Sequence, residues 1–170
     1  MTRYIALLRA VNVGGTGMLA MADLKAICVA AGHSKVATYI ASGNVVFESR
    51  ATAQKVKSEL ETRLAKHTGK PVGVLLRTLE EMRAVLQANP FSDRPPAQTL
   101  AIFLDKASPA DALSHATGQA DEEMRLGLRE IYVHYGAGMG RSKLKIPAAK
   151  LGTARNMNTV ARLVAMAAEG

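Results

Sequence analysis

An apolar run over residues 4–11, broken only by Arg9, leads into Asn12-Val13-Gly14-Gly15-Thr16-Gly17. Such a run predicts a buried strand that enters a glycine-rich loop. Leu24, Ile27, Cys28 and Ala31 then recur at i, i+3, i+4 and i+7, with Asp23 in the first turn and Gly32 as the stop. That spacing predicts a helix with one buried face. Residues 36–40 and 45–48 are rich in β-formers and are separated by Ala41-Ser42-Gly43-Asn44, a hairpin connection in which glycine and asparagine tolerate positive φ. Val56, Leu60 and Leu64 mark a second helix ending at Gly69, and residues 72–77 follow Pro71 as another strand. The order is βαββαβ and lacks a dinucleotide fingerprint. It predicts a ferredoxin-like split βαβ, with two helices on one face of an antiparallel sheet.

Thr78-Leu79-Glu80-Glu81 reads as a capping box that starts a third helix, with Leu79, Met82, Val85 and Leu86 on its apolar side. Asn89-Pro90 ends it, before the linker-like Phe91-Ser92-Asp93-Arg94-Pro95-Pro96. Beyond lie a strand over residues 99–104, a helix opened by Ser108 with Pro109 in its first turn, and a hairpin over residues 122–135 turning near Gly127. A helical turn is expected over residues 143–150, and a closing helix faces inward with Val160, Leu163, Val164 and Ala167. The expected fold class is α+β: a ferredoxin-like first half over residues 1–78, a helix and linker over 79–98, and a smaller α+β half over 99–170.

Composition narrows the class. The 170 residues are 48% hydrophobic, enough for a sizeable core, yet no apolar run approaches the roughly 20 residues of a membrane span. The N-terminus has no signal-peptide pattern, so a cytoplasmic protein without membrane contact is expected. Cys28 is the single cysteine, which excludes an internal disulfide, and its apolar neighbours predict a buried, inert thiol.

The net charge of +8 is unevenly spread. Residues 48–130 carry 12 basic and 12 acidic side chains, residues 1–47 carry four and one, and residues 131–170 carry six and one. The excess sits at the two ends, and a positive face made from them would favour polyanions or phosphorylated ligands. A basic excess also serves solubility alone.

Two polar runs stand in the basic tail: Tyr135-Gly136-Ala137-Gly138-Met139-Gly140-Arg141-Ser142-Lys143 and Thr153-Ala154-Arg155-Asn156-Met157-Asn158-Thr159. Ser142, Thr153 and Asn156 suit helix caps. If Lys143 and Arg155 stand at helix starts, the macrodipole disfavours them by about 0.3–1 kcal/mol each, a cost that an incoming phosphate or carboxylate would remove. In the first loop, Gly14 and Gly15 turn backbone amides toward one point, although a strand-to-helix turn explains them equally. Ser42 and Asn44 read first as a hairpin tip. His134 is a possible acid or base, while His33, His67 and His115 are scattered and suggest no metal site.

These residues carry a resemblance. Over nearly its full length the chain resembles the domain of unknown function 1697 family, through Ala6-Leu7-Leu8-Arg9-Ala10-Val11-Asn12-Val13-Gly14-Gly15, Thr38-Tyr39-Ile40-Ala41-Ser42-Gly43-Asn44-Val45-Val46-Phe47, Ser142-Lys143-Leu144 and Thr153-Ala154-Arg155-Asn156-Met157-Asn158-Thr159-Val160. Met157 stands where the family usually has tryptophan, and Pro147 interrupts the helix expected after Ser142. The resemblance implies a cytosolic bacterial α+β protein and no established activity. Its motif positions, Arg9, Asn12, Gly14, Gly15, Ser42, Asn44, Ser142, Lys143, Arg155, Asn156 and Thr159, coincide with the polar residues singled out above, and they are expected to converge.

The first expectation is therefore a binding module whose cleft between the halves holds a phosphate-bearing small molecule or a nucleic-acid backbone. A small transferase or hydrolase for a phosphorylated or acidic substrate is the alternative. It needs Lys143, Tyr135 or His134 at the centre of the pocket. An interaction or oligomerisation protein would instead expose a large apolar patch. Cofactor, catalytic residue and oligomeric state stay open.

Overall fold

The computed structural model describes residues 1–12 and 18–169. Among them the chain forms eight strands and four α-helices: β1 Thr2–Leu8, α1 Met21–Ala30, β2 Ser34–Tyr39, β3 Asn44–Ser49, α2 Ala53–Thr68, β4 Val74–Thr78, α3 Leu79–Gln87, β5 Thr99–Phe103, β6 Glu123–Leu126, β7 Glu130–His134, β8 Thr153–Asn156 and α4 Met157–Glu169. No described helix is long and apolar enough to cross a membrane. Two compact units result. One takes Met1–Met82 with Arg162–Gly170, the other Arg83–Ala161.

In the first unit the sheet order is β2-β3-β1-β4, every pair antiparallel, which is the interleaving a split βαβ predicts. Alternation along β1 puts Tyr4, Ala6 and Leu8 in one core with Leu24 and Cys28 of α1 and Val56, Leu60 and Leu64 of α2. Ile5 and Leu7, on the opposite face, are fully buried as well. That is why residues 4–8 read as a continuous apolar run. Thr52 caps α2 by accepting from the Lys55 amide, and Gly69 ends it in the left-handed conformation. The capping box holds at α3: Thr78 Oγ1 accepts from the Glu81 amide, and Glu81 Oε1 from the Thr78 amide. At the other end of β1, Arg3 donates through Nε to the carbonyl of Ala167 and through Nη2 to that of Met166, so a cation meets the C-terminal carbonyls of α4. Cys28 is fully buried, and desolvation pushes its thiol up to about 12, which fits the inert thiol expected.

The second unit is a sheet of order β6-β7-β5-β8, again antiparallel throughout. Ile102, Leu104, Ile131, Val133 and Ile146 form its apolar cluster. On the other face Tyr132 donates to the carbonyl of Val85 at 2.7 Å, and burial raises its phenol well above the usual value. The hairpin from β6 to β7 turns at Gly127 as expected, with the Gly127 amide bonded to the Glu130 carbonyl.

Three expected elements differ. The helix from Ser108 shrinks to a single 3-10 turn, Ala112–His115, because Ser114 Oγ bonds the Asp111 carbonyl and Thr117 leaves to bridge Lys145. That same bridge claims the backbone after Ser142, so the turn expected over residues 143–150 is a 3-10 turn at Pro147–Ala149 only. The run at Thr153, expected to cap the last helix, is strand β8, since Arg155 Nη1 bonds Thr153 Oγ1 at 2.8 Å and a buried polar pair fills the inward positions where hydrophobes usually signal a strand.

Candidate functional site

The glycine-rich run of the basic tail folds as a 3-10 turn, Gly136–Arg141, that hands on to Ser142 through a bond from the Ser142 amide to the Met139 carbonyl. Ser142 Oγ accepts from the Leu144 amide at 3.2 Å and donates to Glu122 Oε2. Opposite, Gly118 lies so close to the Lys143 carbonyl that a Cβ there would stand 2.1 Å from the oxygen. These segments enclose a groove of about 650 Å³, lined also by Arg94, Asp121, Glu123, His134, Tyr135 and Arg141. At Gly136 and Gly138 a side chain would meet nothing within 4 Å, so the bare backbone leaves the groove open there.

The groove is not the uniformly positive face that regional charge counting suggests. Asp121, Glu122 and Glu123 come to it from β6 and the segment before it, and they offset Arg94, Arg141 and Lys143. Their engagement differs, however. Glu123 is tied to Arg94, which lowers the carboxyl and raises the guanidinium, and the Ser142 hydroxyl followed by the Ala120 amide lowers Glu122. Arg141 and Lys143 have no hydrogen-bond or ion-pair partner among the described residues. Two cations are thus available beside Glu122 and Glu123, which are already occupied, while Asp121 has no side-chain hydrogen bond or ion pair among the described residues.

His134 comes from β7 and is 7% exposed, with Nδ1 at 2.9 Å from Thr99 Oγ1 and its ring 5.8 Å from that of Phe91. Arg94 and Arg125 lie 5.7 and 5.9 Å from the Phe91 ring centre, two guanidinium groups over one buried aromatic. Desolvation, then Glu122, raises the half-buried Tyr135 phenol. The three groups named for a catalytic reading, Lys143, Tyr135 and His134, therefore line one groove. Sequence reasoning missed Glu122 and Glu123, the first of them twenty residues before Ser142; the alternation of the hairpin across Gly127 was the signal that brings Glu123 opposite His134, its register partner.

The remaining motif residues are distributed between the units. In the second, Arg155 is buried within β8, where desolvation lowers it to about 10 and Nη1 also donates to the Ala154 carbonyl. Arg155 lies in β8 two residues before α4 begins, whereas no α-helix follows Ser142, so the dipole argument does not apply to Lys143. Asn156 Oδ1 accepts from the Thr159 amide and caps α4. In the first, Asn12 has φ of 55°, donates its amide to the carbonyls of Leu19 and Ala41, and accepts from the Leu19 amide. Asn44, fully buried, donates to the Tyr39 carbonyl and to Ser42 Oγ and closes the hairpin. Arg9 follows β1, its amide bonded to the Gly73 carbonyl. Gly14 and Gly15 lie outside the described residues. Among the described residues no group of three His, Cys, Asp or Glu side chains could hold a metal ion.

A family model described as a protein of unknown function, DUF1697, matches residues 1–132. No curated protein matches the chain. Among solved structures it is similar to a conserved bacterial protein, SP0830, from Streptococcus pneumoniae, at 27% identity with a TM-score of 0.80 and 98% of each chain covered.

Proposed function

The chain belongs to the DUF1697 family of proteins of unknown function, and we propose that it is a binding protein whose second unit holds a phosphate-bearing ligand, a nucleotide or nucleic-acid backbone, in the groove beside Ser142. One observation carries the reading: Arg141 and Lys143 are unpartnered among the described residues while Glu122 and Glu123 are engaged. An arginine fork and a lysine point charge on one wall suit phosphate oxygens. The volume of about 650 Å³ lies within the range of small-molecule sites and takes more than a bare ion. Tyr135 is the aromatic residue of the wall and is half-buried, so contact with phosphate and sugar is favoured over stacking of bases.

The test is calorimetric titration with a nucleoside triphosphate and with a short single-stranded oligonucleotide across a series of salt concentrations. Binding is expected to weaken steadily with salt, and Arg141→Ala with Lys143→Ala is expected to weaken it by about 100-fold, the loss of two charge-assisted contacts. Absence of binding to both probes at low salt would defeat the proposal.

A transferase or hydrolase acting on a phosphorylated or acidic substrate is a second reading, favoured by the placement of His134 at the same groove with Thr99 fixing its ring. It requires turnover. A panel of phosphomonoesters and phosphodiesters hydrolysed by the wild type and not by His134→Asn would establish it over simple binding.

A further inference from the structure

The first unit contains a separate cavity of about 420 Å³, where the connection from α1 to β2 faces the connection from β3 to α2. None of the residues assigned above lines it. His33 does, and it is 8% exposed. Its ring is stacked on Phe47 with centroids 4.4 Å apart and planes 13° apart, so packing fixes where its nitrogens point. Nε2 is buried and has no hydrogen-bond partner among the described residues. Buried polar atoms are nearly always satisfied, and His33, a lining residue of the cavity, carries one that is not.

The other polar groups of this cavity agree on the sign of that ligand. Ser49 Oγ, in a residue 7% exposed, accepts from the Ala51 amide at 3.1 Å and keeps its own proton free among the described residues. Arg50 and Lys55 line the cavity, and their side chains have no ion pair or hydrogen bond among the described residues. The acid of the lining, Glu59, is held by Arg63, whose Nε and Nη2 lie 3.2 and 3.1 Å from Oε1. Two free cations, a hydroxyl proton and the histidine that carries the unpartnered nitrogen thus surround one space, with its carboxylate neutralised.

We propose that this cavity is an anion site for a small phosphate-bearing molecule, with Arg50 and Lys55 meeting the charge and Ser49 Oγ–H and His33 Nε2–H donating to phosphate oxygens. Burial holds His33 below the usual histidine range, with Glu59 opposing and Arg63 adding to that effect. A phosphate oxygen at Nε2 acts in the reverse direction, because it favours the imidazolium. Occupancy is therefore readable in the titration of His33.

The experiment follows the imidazole resonance of His33 by NMR in the full chain, assigned through His33→Gln, during titration with inorganic phosphate and with chloride at equal ionic strength. Phosphate is expected to shift the resonance saturably and move its titration midpoint to higher pH, while chloride does neither. Arg50→Gln with Lys55→Gln, both at exposed positions, is expected to weaken the response by about tenfold or more with the amide spectrum otherwise native. Arg141→Ala with Lys143→Ala is expected to leave it intact, which separates this site from the groove of the second unit. A response identical in chloride, or one unchanged in the Arg50 and Lys55 variant, overturns the proposal.

Discussion

Leu60→Ala is expected to destabilise the protein by about 3 kcal/mol and to lower its Tm by roughly 10 °C. Leu60 is fully buried on α2 between Val56 and Leu64, in the core that also contains Tyr4, Ala6, Leu8 and Phe47 of the sheet. Truncation removes three carbons of transfer free energy and leaves a cavity that a sheet buried on both faces is poorly able to close. The two contributions together give the 2–5 kcal/mol usual for such sites. Gln54→Ala on the exposed side of the same helix is the control and is expected to change stability by less than about 0.5 kcal/mol. Urea melts of the two variants check the difference, and equal midpoints would contradict the assignment of this face of α2 to the core.

The first unit was legible because its burial follows the two periods that sequence displays. Val56, Leu60 and Leu64 recur at helical spacing, residues 4–8 run apolar on a strand covered on both sides, and Gly69 and the Thr78–Glu81 box mark the ends of helices. β8 was not legible for the opposite reason. Its inward positions are Thr153 and Arg155, which satisfy each other, and pairing with β5 supplies the stability that hydrophobic alternation normally announces. The 3-10 turn at Gly136–Arg141 was likewise open to several local conformations until the bridge between Thr117 and Lys145 fixed the chain beyond it.

The candidate site shows the same division. Ser142 and Lys143 were identified from residue type, and the groove they line includes His134 and Tyr135 from the neighbouring strand. Its carboxylates come from a different stretch of sequence, one with balanced charge, and only antiparallel pairing of β6 with β7 carries them there. A regional charge count averages over such pairings. Asn12 and Asn44 were selected for polarity, and their amides bond backbone carbonyls that hold β1's exit and the β2–β3 hairpin in shape.

Gly118→Ala is expected to cost about 3 kcal/mol or more and to disorganise the groove. Gly118 has φ of 72°, a conformation that costs an L-residue roughly 1–2 kcal/mol by itself. The added Cβ would also stand 2.1 Å from the Lys143 oxygen and 2.8 Å from its carbonyl carbon, both backbone atoms. These cannot swing aside as a side chain does, because Thr117 and Lys145 exchange two hydrogen bonds, of 2.9 and 2.8 Å, immediately next to the contact. Relief therefore requires opening that bridge, which moves Lys143 and pulls Ser142 from Glu122. Gly136→Ala isolates the steric part, since Gly136 also has positive φ, at 64°, but its Cβ would enter open space. The alanine at 136 is expected to lose only about 1 kcal/mol. Thermal melts rank the pair, and amide shifts at Ser142 and Glu122 report whether the groove has opened. If Gly118→Ala proves as stable as Gly136→Ala with those shifts unchanged, the close approach of the two loops, and with it the shape of the groove, is refuted.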